Sequence, residues 1–584
     1  MKAVGSTGRQ VRGTWGRALA SPLVWLFLVL ALPVNAQSVR YSWTTPDVIP
    51  SPAPSSLRFE AEIMGTPSRV VFEFDPGDTG VTVPHEMRDD GTGGDRVAGD
   101  GIYTVTLPVA PLLAAMKPEH ANRVFMGFLN VFNGSQSVWR GYHLAMVYTP
   151  DLGTWAVTPR SATVQHTSHV ANVVLPSYFA SANDQLPDRV TREFYRWFGD
   201  DYDFVNLVYL PGQAANRTYS TVKMAIGGIG RTARDNTLLM GSAGRLLGMV
   251  QYPVPAFFDG SNAGTAHELG HHWINGLDFD PLGQGIPHWP YSTMGSGVMG
   301  ISIGGRNGAG GTFTCGIEAT AAGFTLRRPS TPAMFNDLDL YLMGLMAPED
   351  VAPQWVFVDQ KAAETMPCSG SLPASAMTRV TVQDVIARAG ARSPPHPQAP
   401  RRFRVATVLV TRDGLASPQA MAFFSAMALR SESREPSTSL EGRAVMTSQP
   451  FYAATQGRAI LHTHLQQEVP WVFRAAASGP LSARRLVATI EPAAADVGST
   501  RQIFIAALVG PNWYFLTPAG WQLNQGGAYP AYATTTLNAK VDLPLLDGSL
   551  NLTPLAGTRV YVGYGRDAAE MLSAGRYAMV HYVQ

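Results

Sequence analysis

The feature of this 584-residue chain that most restricts its fold is a change of hydrophobic period along its length. Residues 57–107 hold short runs in which apolar and polar side chains alternate, as in Arg69-Val70-Val71-Phe72-Glu73-Phe74. Alternation at period two turns one face of each run to a core and the other to water, the pattern of antiparallel strands. It returns from about residue 485, in Gln502-Ile503-Phe504-Ile505-Ala506-Ala507-Leu508 and in Arg559-Val560-Tyr561-Val562-Gly563-Tyr564. Between these ends the pattern differs. Residues 188–198 mix charged and aromatic side chains at helical spacing, and Phe204-Val205-Asn206-Leu207-Val208-Tyr209-Leu210 then reads as a strand buried on both faces. The fold class expected is multidomain α+β: an N-terminal β-sandwich over 37–160, a central α/β domain over 172–465 and a C-terminal β-sandwich over 485–584. A chain of this length exceeds what one hydrophobic core organises, and 57 glycines and 43 prolines suit many turns.

Residues 1–36 carry Lys2, Arg9, Arg12 and Arg17, then an apolar stretch, then Val34-Asn35-Ala36. This is the layout of a cleaved secretory leader, and the apolar run is shorter than the roughly 20 residues that span a bilayer. The expected location is therefore secreted or periplasmic, without stable membrane insertion. Losing four basic residues and no acidic ones takes the formal charge from +1 to −3. A near-neutral surface argues against a nucleic-acid partner. Cys315 and Cys368 are the only cysteines, and in an oxidising compartment a pair is expected to bridge.

The segment His267-Glu268-Leu269-Gly270-His271 carries the chemistry. Histidines four apart share one face of a helix and can reach one metal ion, while Glu268 between them stands beside the metal as a base. Zinc so held would activate water against a polarised carbonyl. Ser261 or Asn262 could cap this helix and Asn275-Gly276 could end it after about three turns. Ala266 and Gly270 would allow close packing. The pentapeptide Gly300-Ile301-Ser302-Ile303-Gly304 matches a nucleophile elbow, but its Gly-rich flanks suit neither the strand nor the helix that an elbow needs.

Ala266-His267-Glu268-Leu269-Gly270-His271-His272-Trp273, followed by Leu338-Asp339-Leu340-Tyr341-Leu342-Met343-Gly344-Leu345, resembles the zincin metallopeptidases, and among them poorly characterised secreted bacterial members with a YLMGL segment. The resemblance implies a zincin-like catalytic domain, a peptide or protein substrate, Zn²⁺ as cofactor and an edge strand that pairs with extended peptide. The metzincin continuation, a Gly and then a His or Asp ligand, falls on Ile274 and Leu277, so the third ligand is expected from elsewhere. Asp339 is the candidate, with Asp337 and Glu318 as competitors, and its alternative is a helix cap or a carboxylate that orients a ligand. His288, in a loop between prolines, is open between a metal ligand, a donor to the developing oxyanion and a plain loop residue. Tyr341 is a further oxyanion candidate, or else a packed helix aromatic.

Residues 89–103 interleave Asp89, Asp90, Asp95 and Asp100 with glycines. This run resembles the signature of Ig-like accessory modules in secreted bacterial proteins. It reads either as a compact self-bonded loop or as a Ca²⁺ site over Asp89–Asp100. Aromatics of the β-sandwiches could contact an extracellular polymer. The function expected is a secreted zinc endopeptidase, the alternative a non-catalytic surface or matrix-binding protein that keeps a zinc-site remnant.

Overall fold

The computed structural model describes residues 37–74, 83–114, 124–180, 187–212, 217–257, 264–274, 276–300, 315–327, 333–435, 449–465 and 471–583. The leader expected at 1–36, the helix-start residues Ser261 and Asn262, and Ser302 lie outside them. The chain is multidomain and strand-rich, with both α and β elements.

At the centre is an eight-stranded mixed sheet. Its order is Thr218–Thr221, Gly248–Pro253, Phe204–Leu210, Arg402–Thr411, Val170–Val174, Val164–His166 and Thr158–Pro159, with Ile460–His462 added beside Arg402–Thr411. The inner strands run parallel, and Thr218–Thr221 closes one edge antiparallel to Gly248–Pro253. Alternation between two covered faces explains why Phe204–Leu210 is buried throughout. Phe204 and Val208 join one core with the histidine helix, whereas Val205, Leu207 and Tyr209 join a second core under helix Pro187–Tyr195. A sheet covered on both faces leaves that strand no wet side.

The ends of the chain build separate cores. In the N-terminal module Ser38–Thr45, Ser56–Met64 and Ile102–Pro108 face a five-stranded sheet, and Phe59 stacks on Phe72 across the gap at 4.5 Å between ring centroids. In the C-terminal module Leu486, Ile490 and Leu543 of a three-stranded sheet meet Ile503, Ile505 and Val562 of a six-stranded one. The central sheet takes in Thr158–Pro159 and Val164–His166, ahead of position 172, and Val472–Ser478 pairs with Arg485–Glu491, ahead of 485. Cys315 and Cys368 form a disulfide, beside a small cluster of Ile317, Phe324, Leu326 and Phe357. Among the described residues no helix is long and apolar enough to cross a membrane.

Candidate metal centre

The histidine helix spans Thr265–Gly270, with every side chain buried. It is shorter than three turns: after Gly270 the chain continues in tighter bonds, His272 N to Leu269 O and Trp273 N to Gly270 O, both 3.0 Å. Its glycine is required by packing. A Cβ at Gly270 would lie 2.6 Å from Met299 Sδ and 3.0 Å from the Phe335 ring, so the helix sits closer to its neighbours than alanine would permit.

His267 donates from Nδ1 to the Val298 carbonyl at 2.7 Å, which fixes the tautomer and turns the Nε2 lone pair outward. His271 lies one turn on, its ring centroid 4.8 Å from that of His267. His288 arrives from the loop after Leu282–Gly285, in which a Cβ at Gly285 would lie 2.3 Å from Pro290 N. Its Nε2 stands 3.1 Å from Nε2 of His267. One ligand atom from each of the three histidines lies within 4.8 Å of the other two. Burial pushes His267 down to about 4 and His271 down to about 2, and it lowers His288 as well, with the Arg217 charge adding to the effect. All three imidazoles are therefore neutral near pH 7. Neutral rings whose nitrogens converge on one point suit a soft-to-borderline divalent cation, since each supplies a lone pair and none a charge.

Glu268 is buried beside them, and Arg217 Nε donates to its Oε1 at 2.8 Å. Burial raises the carboxyl and the Arg217 guanidinium opposes that. Arg217 immediately precedes the edge strand Thr218–Thr221, so one short segment carries both the outer edge of the sheet and the cation facing this carboxylate. The same strand also reaches the turn that follows the helix, where Tyr219 Oη is 2.8 Å from Nδ1 of His272.

Asp339 is not brought to the histidines. It is fully buried, and both its oxygens accept hydrogen bonds at the start of helix Asp337–Met343. Trp289 Nε1 donates to Oδ1 at 2.6 Å, while Asn336 donates to Oδ2 from its backbone N at 3.0 Å and from Nδ2 at 2.7 Å. Asp339 is a capping-box residue that also anchors the ring next to His288 in sequence. This corrects the expectation of a direct ligand and matches its stated alternative. Tyr341 is packed into the core with its hydroxyl accepting from Arg392 N at 3.2 Å, as its alternative of a packed helix aromatic has it. Asp337 accepts from Ala352 N, and Glu318 is exposed and paired with Arg327. Arg217 was not anticipated, because a lone arginine ahead of a short strand has no periodic or motif signature. The chain is matched by no family model and by no curated protein sequence.

Proposed function

We propose that the chain is a secreted zinc-dependent endopeptidase with a zincin-like central domain. The observation that carries this reading is the convergence of His267, His271 and His288, all neutral, beside the buried carboxylate of Glu268. A catalytic zinc site uses three protein ligands and keeps a position open, and three imidazoles fill that requirement without Asp339. When bound, zinc supplies Lewis acidity, which makes a peptide carbonyl more electrophilic and water more acidic.

The protein's own groups do the rest. Glu268 takes the proton of the attacking water and returns it to the leaving nitrogen. Arg217 fixes Oε1 of that carboxylate, so the other oxygen is the one left to carry the proton. Val298 holds His267 in the tautomer that offers Nε2, and the bond from Trp289 to Asp339 steadies the His288 loop.

The test is cleavage of a casein or gelatin substrate by the exported protein. Glu268→Gln should lower kcat by on the order of 10³-fold with metal content intact, and o-phenanthroline should stop cleavage reversibly on zinc return. Full activity in Glu268→Gln, or cleavage that resists the chelator, contradicts the reading. A matrix-binding protein with a zinc-site remnant would show no turnover in the native chain.

A further inference from the structure

The segment Gly227-Gly228-Ile229-Gly230-Arg231 lies across the end of the histidine helix, pressed against two other stretches of main chain. A Cβ at Gly228 would lie 2.4 Å from the Ala391 carbonyl oxygen, and one at Gly230, where φ is +73°, would lie 2.1 Å from that of Gly276. Gly227 and Ser393 exchange both backbone hydrogen bonds at 3.0 Å. They do so beside Arg392, which donates from Nε to the Leu342 carbonyl and from Nη2 to that of Met343, at the end of helix Asp337–Met343. Ile229 is fully buried in the core that also holds Ile274 and Leu277. The glycine run is thus pinned on both sides, and its backbone contacts decide where the next residue stands.

That residue is Arg231. Its Nη2 donates to the His271 carbonyl at 2.6 Å and to the Ile274 carbonyl at 2.9 Å. Carbonyls in the last turn of a helix lack donors from the helix itself, and the negative end of the helix dipole favours a cation there. The histidine helix is only 6 residues long, so its surroundings, more than its own hydrogen bonds, must hold it. Its two histidines are secured differently. His267 is oriented through its ring, by the bond from Nδ1 to the Val298 carbonyl, whereas Arg231 secures the main chain of His271. Fixing that carbonyl restricts ψ of His271, and with it the direction in which Cβ aims the imidazole.

We propose that Arg231 is a positioning residue of the metal centre: by fixing the His271 main chain it sets how tightly His267, His271 and His288 together hold a divalent cation. This role rests on the zinc-centre reading given above and on no step of peptide hydrolysis.

The exported full-length chain would be stripped with a chelator, loaded with Co²⁺ and followed by visible absorption, with Zn²⁺ affinity measured by competition against a metal indicator. The unaltered chain should take up Co²⁺ with a defined spectrum; no uptake there would overturn the metal centre itself, and this role with it. Arg231→Met keeps the apolar stem and deletes the donors. It should weaken Zn²⁺ binding by about 10- to 100-fold and shift the cobalt bands, with circular dichroism unchanged. Arg231→Lys, which keeps the charge and can reach one carbonyl, should show a smaller loss in the same direction. Native affinity and spectrum in Arg231→Met, even with a lowered unfolding midpoint, would make Arg231 a structural cap only and overturn the role. Where Arg231→Met does not fold, native affinity and spectrum in Arg231→Lys would overturn it equally.

Discussion

Two groups among the described residues bring three potential ligand atoms within 4.8 Å of one another: His267, His271 and His288 in the central domain, and Asp89, Asp95 and Asp100 in the N-terminal module. They differ in what their ligand atoms already do. In the histidine group the bond from His267 to the Val298 backbone is made by Nδ1, the nitrogen opposite the cluster, and the Nε2 atoms of His267 and His288 meet within the cluster at 3.1 Å. In the aspartate group the carboxylates are spent on their own loop. Asp89 Oδ1 accepts from Gly99 N at 2.8 Å and Asp100 N at 3.1 Å, Asp89 Oδ2 accepts from Gly101 N, and Asp95 Oδ2 accepts from Gly91 N at 2.6 Å. Proximity alone does not make a site. Unspent donor capacity, held in place by bonds made through other atoms, does.

If that contrast is sound, removing a side chain should cost stability in the loop and metal in the histidine group. The largest of the stability effects expected is Asp89→Ala, which takes the acceptor from Asp100 N and Gly101 N and leaves Gly99 N only the residue 89 carbonyl, and which should destabilise the N-terminal module by about 1–2 kcal/mol in metal-free buffer. Urea unfolding followed by the module's own probes measures this. A wild-type midpoint in Asp89→Ala would show the loop to be held by something other than its carboxylates.

A smaller effect follows from His143, buried in the same module with Nε2 2.9 Å from Thr44 Oγ1. Burial pushes it down to about 3 from the usual 6.5, so the fold favours the neutral ring. The stability it contributes is full above pH 6.5 and is lost as pH falls from there towards 3. His143→Gln should flatten that acid slope, as read from unfolding midpoints across the pH range; an unchanged slope would assign it to other groups. Smallest of all is the response to calcium. Excess Ca²⁺ should leave the module's midpoint where it was, and a clear rise would mean that the aspartates keep capacity for an ion after all.

What the sequence made legible follows the range of each interaction. His267, Glu268 and His271 are set by one helical turn, and their spacing alone pointed to them. Strand Phe204–Leu210 and helix Pro187–Tyr195 were readable from period, because burial on two faces and on one face leave different patterns. His288 had its role left open, since it comes from a loop whose path depends on Gly285 and on the bond from Trp289 N to Met299 O. For Asp339 the burial was legible from its apolar neighbours but the partner was not. Asn336 three residues before it is a capping-box spacing, a local signal that competes with a ligand role and here prevails. Arg217 reaches Glu268 across 51 residues of sequence, and nothing local marks it.

The measurement that tests the central claim most directly is zinc stoichiometry in the exported protein, compared among the native chain, His288→Ala and Asp339→Ala. With His267, His271 and His288 as the three ligands, the native chain should hold one zinc, His288→Ala should lose it on dialysis, and Asp339→Ala should retain it while unfolding more easily. Zinc retained in His288→Ala and lost from a folded Asp339→Ala would contradict the account.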